Sequence, residues 1–208
     1  MRVVVLISGR GSNLQALIDA GQSGAFTIVG VASNNPTAAG LRHASRAGIA
    51  TDAVAHQDYA KRENFEIALI RTIDRWQPGL IVLAGFMRVL TGKFVGHYAG
   101  RMINIHPSLL PEFPGLNTHE RVLQAAVQWH GASVHYVTDE LDGGPVISQT
   151  RLAVRADDDA KSLAARVLQR EHQLLPATVS KLASGRVGFE NGKVIFDGKV
   201  LQEPLEFD

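Results

Sequence analysis

VVVLISGRGSN, residues 3–13, decides the architecture of this chain. Residues 3–7 are an unbroken run of valine, leucine and isoleucine, the composition of a strand buried on both faces, and such strands belong to parallel sheets covered by helices. Ser8-Gly9-Arg10-Gly11-Ser12-Asn13 then makes a turn, and Leu14, Leu17 and Ile18 follow at helical spacing, with Ser12 or Asn13 placed to cap the helix. Strand, glycine-rich turn and helix start together aim several backbone N–H groups at one point, which suits an anion such as phosphate. The pattern is not a Walker loop, which needs Gly-Lys-Ser/Thr. Nor is it a complete dinucleotide fingerprint, because Leu14 stands where the third glycine belongs. A tight turn that needs glycine only for its geometry explains these residues equally well.

The alternation continues outward from that unit. Residues 27–32 read as a second strand, 38–47 as a helix closed by Gly48, 49–54 as a short third strand, and 59–76 as a long amphipathic helix ending before Gln77-Pro78-Gly79. Arg62 and Glu63 fall in its first turns, where solvation is the expectation. Residues 80–84 are the most apolar strand and are expected at the centre of a parallel sheet. Gly85-Phe86-Met87-Arg88-Val89-Leu90 leaves its carboxyl end, the place where open α/β sheets bind ligands. Phe86, Met87, Val89 and Leu90 form either an apolar slot for a flat ring or ordinary core.

Residues 102–111, MINIHPSLLP, form a strand that breaks off where polar groups appear. Asn104 and His106 are two apart and leave the same face. An amide donor beside an imidazole can stabilise an oxyanion and shuttle a proton, although either residue alone also serves as a strand-end cap. Pro107 and Pro111 force a loop, and residues 111–117 have the Pro/Gly composition of a lid. A helix is expected over 119–128, a strand carrying His135 over 132–137, and a second strand over 146–154. The turn between those strands carries Asp139, Glu140 and Asp142. Such carboxylates are usually solvated, but one beside His106 would keep that ring charged and oriented. A long helix over 160–183 carries Glu171-His172 before Pro176, with the acid expected on the surface. Asn-Gly and Asp-Gly within 186–201 announce a small antiparallel meander.

Composition limits the function classes. With 208 residues, 45% of them hydrophobic, the chain is expected to bury one core as a single domain. A formal charge of +1 with scattered Lys and Arg argues against nucleic acid as partner. There is no cysteine, which removes disulfides and thiolate metal sites, and the eight histidines lack ligand-like pairing, so no metal is expected. The start has no signal-peptide layout, and the longest apolar run, 80–87, is far short of the roughly 20 residues that span a bilayer. Cytoplasm is the expected compartment.

Read together, SGRGSN at 8–13, AGFMRVL at 84–90, NIHPSLLP at 104–111, GASVHYVTDELDGGPVI at 131–147 and QREH at 169–172 resemble the glycinamide ribonucleotide formyltransferase family. The likeness is collinear and runs from residue 1 to about 176. The Asn-x-His strand and the Asp-Gly-Gly loop belong to folate formyltransferases in general, and the phosphate loop narrows the likeness to this branch. The resemblance implies one Rossmann-like α/β domain over 1–208, with a mostly parallel, partly mixed sheet flanked by helices and a small C-terminal β-meander. Its phosphate-binding half would cover about 1–100, and its folate and catalytic half about 101–208. It further implies transfer of the formyl group of 10-formyltetrahydrofolate to the amine of 5-phosphoribosylglycinamide in purine biosynthesis, by a monomer or homodimer acting on small molecules. By the same resemblance Gly11, Ser12 and Asn13 would hold the phosphate and Glu171 the glycinamide end. Arg62, Met87, Arg88, Val89, Leu90 and Asn104, with Thr138, Asp139 and Glu140, would hold the folate. Asn104, His106 and Asp142 would be catalytic. Arg10 is not a position the family is expected to fix, which leaves a phosphate contact from it open. Competing readings are a formyltetrahydrofolate deformylase, which puts water in place of the amine, a methionyl-tRNA formyltransferase, and a non-enzymatic nucleotide sensor.

Overall fold

The computed structural model describes residues 1–207, in two compact units that meet in sequence between Ile103 and Asn104. The first contains β1 (Arg2–Ile7), α1 (Ser12–Gly21), β2 (Thr27–Ser33), α2 (Gly40–Arg46), β3 (Thr51–Ala53), a 3-10 turn (His56–Asp58), α3 (Arg62–Asp74), β4 (Leu80–Leu83) and α4 (Gly92–His97). Its strands run parallel in the order β4, β1, β2, β3. Val3 through Ile7 are fully buried, as an apolar strand covered on both faces requires, and α1 buries Leu14, Leu17 and Ile18.

Two differences from the sequence expectation have local causes. α3 is shorter than 59–76 because Tyr59 and Lys61 are extended. α4 was not anticipated: it is one short helix of six residues, and its Gly92 and Gly96 carry little helical signal. Its N-cap, Thr91, accepts from Phe94 N–H. Thr91 is itself held by the buried Glu66 carboxylate of α3, which accepts from Thr91 N at 2.8 Å and from the Thr91 hydroxyl.

The second unit takes in β5 (Met102–His106), α5 (Thr118–Gln124), β6 (Trp129–Tyr136), β7 (Val146–Ala153), α6 (Ala160–Ala183), β8 (Val187–Glu190), β9 (Lys193–Phe196), β10 (Lys199–Val200) and β11 (Leu205–Phe207). The strand order is β11, β7, β6, β5; β6 and β7 are antiparallel, β7 and β11 parallel. The mixed character expected of the α/β class lies here. α5 stops short of 128 because Ala126 adopts a left-handed φ of 49°, and β6 starts at Trp129 rather than 132. α6 matches the expected span; Asp159 and Ser162 form a capping box at its start, with bonds of 2.6 and 2.9 Å. β8, β9 and β10 form the meander. Both of its turns are built by Asn191-Gly192 and Asp197-Gly198 with positive φ at all four residues, the geometry that matches strand twist. β11 is three residues long and shows no periodicity by which it could be read. Among the described residues, no helix is long and apolar enough to cross a membrane.

A histidine pair ties α5 to β6. His119 Nδ1 lies 3.0 Å from His130 Nε2, and both rings are pushed below the usual histidine value, mainly by burial; His130 is pushed down to about 4, with His119 and then His106 adding to the effect. The unfolded chain therefore takes up a proton near pH 6.5, while the folded protein resists protonation of His130 until about pH 4. The stabilisation is complete above pH 6.5 and is lost as pH falls through that window. Urea unfolding at pH 7.5 and pH 5 should show a smaller acid loss for His130→Gln than for the unaltered protein. Equal losses would contradict the neutral, buried state of this ring.

Candidate functional site

In the first unit, β1 ends at Ile7 and its chain turns through residues 8–11 into α1. Neither Ser12 nor Asn13 caps the helix. The N-cap is Gly11, left-handed at φ 77°, and Gln15 N–H donates to its carbonyl at 2.9 Å; Ser12 and Asn13 are the first helical residues. Gly11 is required sterically as well, because a Cβ there would lie 2.6 Å from Gly40 Cα. At Gly9 a Cβ would meet nothing within 4 Å. The first N–H groups of an α-helix have no acceptor within the helix, so the start of α1 after this turn is a place where an anion is favoured in general. Arg10 is exposed in the turn.

Ser8, which the sequence reading passed over, is the junction of this region. Its hydroxyl donates to Asn34 Oδ1 at 2.5 Å and accepts from Met87 N–H at 2.7 Å, while Ser8 N–H donates to the Gly85 carbonyl at 3.1 Å. The loop after β1 and the segment after β4 are thus locked to each other. In that segment Phe86 is core, whereas Met87 and Val89 are 67% and 60% exposed. Arg88 is exposed, Leu90 half-buried, and Arg62 exposed at the start of α3.

In the second unit, β5 presents Asn104 and His106, and His106 is enclosed. Its Nε2 lies 3.0 Å from the Phe113 carbonyl oxygen and its Nδ1 3.4 Å from Asp142 Oδ2. A carbonyl can only accept, so Nε2 carries the hydrogen between them, and the Asp142 carboxylate faces Nδ1. Asp142 is not solvated as the composition of its turn implied: its side chain is 10% exposed, and Gly115 N–H donates to Oδ2 at 2.8 Å. Closing the turn this tightly needs Gly144, where a Cβ would lie 1.8 Å from the Tyr136 carbonyl oxygen. Thr138 is half-buried, and Asp139 and Glu140 are exposed. Glu171, expected at the surface, is buried on the face of α6 that also buries Val167, Leu174 and Leu175.

The loop that supplies the Phe113 carbonyl is pinned by β6 and β7. Ser133 Oγ donates to the Ser108 carbonyl at 2.7 Å and accepts from Leu110 N–H at 3.0 Å; Gln149 Nε2 donates to the Leu110 carbonyl at 2.8 Å. His135, which the sequence reading placed on a strand without assigning it a role, joins this group. Its Nδ1 lies 2.9 Å from the Tyr136 carbonyl oxygen, its Nε2 3.2 Å from Asn104 Nδ2 and 3.7 Å from Asp142 Oδ1. Strand alternation alone could not find it, because the β6 register shifts between Val134 and His135. Of the residues expected to act together, Asn104, His106 and Asp142 are gathered in this unit around two histidine rings.

The formyl transferase family matches residues 1–179. Phosphoribosylglycinamide formyltransferase of Escherichia coli (strain K12) is 48% identical over 203 residues, which cover 97% of this chain and 96% of that protein. The trifunctional purine biosynthetic protein adenosine-3 of Homo sapiens is 44% identical over 196 residues, 93% of this chain but 19% of that protein. Among solved structures, the phosphoribosylglycinamide formyltransferase of Coxiella burnetii in complex with CHES matches with a TM-score of 0.96 at 50% identity, covering 100% of this chain and 99% of that one.

Proposed function

The chain belongs to the formyl transferase family, and from that premise we propose that it transfers the formyl group of 10-formyltetrahydrofolate to the glycinamide amine of 5-phosphoribosylglycinamide, a step of purine biosynthesis. One observation carries the reading furthest: His106 is bracketed by the Phe113 carbonyl and the Asp142 carboxylate, on the strand that also presents Asn104. The 208 residues act as one formyltransferase domain, with phosphate binding in about 1–100 and catalysis in about 101–208.

The formyl donor supplies an electrophilic carbon. The amine attacks it, a C–N bond forms, and the carbonyl oxygen becomes an oxyanion; collapse then breaks the bond to folate nitrogen. Asn104, through an amide N–H, and protonated His106 stabilise the oxyanion where its charge develops. Asp142 keeps His106 charged and, through water, helps pass the proton from the attacking nitrogen to the leaving one. Gly11, Ser12 and Asn13 hold the ribonucleotide phosphate with backbone amides, and Glu171 holds the glycinamide end. Exposed Met87 and Val89 flank Arg88, offering apolar surface and a cation to a flat ring with a carboxylated tail; Leu90, Arg62, Asn104 and the turn residues Thr138, Asp139 and Glu140 complete the folate contacts. The partners are these small molecules, the compartment is the cytoplasm, and the assembly is a monomer or homodimer.

A hydrolase would pass through a similar oxyanion with water as nucleophile, so the test concerns the amine. Holding that amine in attack geometry replaces a costly bimolecular encounter, and water gains no such help. With 10-formyltetrahydrofolate alone, tetrahydrofolate release should be very slow; adding the ribonucleotide should accelerate it and give formylated ribonucleotide in equal amount. Formate release indifferent to the ribonucleotide would make the chain a deformylase, and no release in either case would favour a nucleotide sensor. The phosphate loop is tested separately. Gly11→Val would disturb the contact with Gly40, but the space at Gly9 admits a side chain. Gly9→Asp places a carboxylate near the phosphate and should raise the ribonucleotide KM by about tenfold or more, through like-charge repulsion, with the folate KM and melting temperature unchanged. An unchanged ribonucleotide KM would remove this loop from phosphate binding.

A further inference from the structure

We infer that His135 is a positioning residue: locked in its Nδ1–H tautomer, it fixes which way the Asn104 amide faces. The inference rests on the reading of Asn104 as an oxyanion donor. His135 Nδ1 faces the Tyr136 carbonyl oxygen at 2.9 Å. That oxygen has no hydrogen to give, so the ring must carry one on Nδ1. In the neutral ring Nε2 is then a bare acceptor, and the Asn104 atom 3.2 Å away must be the amide nitrogen. One N–H of Asn104 is thereby committed. Its other N–H and its carbonyl oxygen are left in a defined orientation.

The lock depends on the ring staying neutral. A second proton, on Nε2, would face the Asn104 N–H; the amide would have to turn over, present its oxygen to the ring, and carry the remaining N–H away from the oxyanion. Burial opposes that proton, and the ring is 2% exposed. The charged groups facing it are Asp142, which favours protonation, and His106, which disfavours it; the Tyr136 carbonyl also favours it. The balance lies below the usual histidine value. Asp142 Oδ1, at 3.7 Å, is too distant to claim the Nε2 position by hydrogen bonding. The two neighbouring histidines therefore have different surroundings: His106 faces acceptors with both nitrogens, while His135 has an acceptor on one side, a donor on the other, and is neutral.

Two substitutions separate positioning from packing. His135→Leu removes the acceptor, and turnover should fall roughly 10- to 100-fold with each KM changed less than about threefold, the pattern of a misdirected transition-state contact. His135→Gln can return an oxygen acceptor toward the Nε2 position and should recover most of the loss. In an Asn104→Ala background, His135→Leu should cost nothing further. An equal cost in that background, or a defect in melting temperature with turnover per folded molecule intact, would overturn the proposal. Nitrogen NMR of the unaltered protein supplies a reading independent of catalysis: a through-hydrogen-bond coupling between Asn104 Nδ2 and His135 Nε2, with an Nδ1–H ring between pH 6 and 8. Absence of that coupling overturns the positioning role. Its presence together with a fully active Asn104→Ala supports the lock and instead removes Asn104 from the oxyanion-donor reading.

Discussion

A carboxylate with a tenth of its side chain exposed must be met by donors, because stripping water from an unmatched ion costs several kcal/mol. Asp142 accepts from Gly115 N–H and faces the His106 ring, and each contact brings its own segment into line. Gly115 belongs to the Pro/Gly loop before α5, and His106 ends β5. Once Nδ1 of His106 is taken, its other nitrogen needs an acceptor, and the Phe113 carbonyl supplies it only if the loop is held in place. Ser133 and Gln149 hold it, through contacts to Ser108 and Leu110. One buried carboxylate thus ties together the path of the loop after β5, the closure of the turn at Gly144, and the placement of a neighbouring ring.

The first unit solves a different problem with different materials. Around the loop after β1 the fixed groups are backbone amides and the hydroxyl of Ser8, neutral dipoles that cost little to hold in place. A loop built this way keeps its shape without a buried counter-ion, and the exposed guanidinium of Arg10 can be altered without consequence for the fold.

What could be read from the residues, and what could not, divides along the range of the forces involved. β1, β4 and α6 are legible because a run of buried side chains and a 24-residue amphipathic repeat are local patterns. The meander is legible because Asn191-Gly192 and Asp197-Gly198 encode their own turns. α4 and β11 are not, being too short for any periodicity. Asn104 and His106 stand out by spacing on one strand. Asp142 can be attached to them only through resemblance, since the composition of its turn points to solvent and its burial depends on Gly115 and His106, both distant in sequence. Glu171 misleads for a related reason: an acid on an amphipathic helix normally marks the outer face, and here it lies on the inner one. His135 and Ser8 are silent in the sequence because their importance consists entirely of partners elsewhere in the chain.

The contact between Gly11 and Gly40 has a bearing on how such a chain can change over time. The backbones approach so closely that a Cβ at Gly11 would sit 2.6 Å from Gly40 Cα, and a Cβ at Gly40 would sit 2.6 Å from the Ile7 side chain and 3.0 Å from Gly11 Cα. Gly11 cannot acquire a side chain while the Gly40 backbone stays where it is, and a side chain at Gly40 would press on both Ile7 and Gly11. The start of α1 and the start of α2 are therefore bound to a common fate: a drifting lineage cannot put a side chain at Gly11 and keep α2 where it is, and any such route to a differently shaped loop after β1 must move two helices at once.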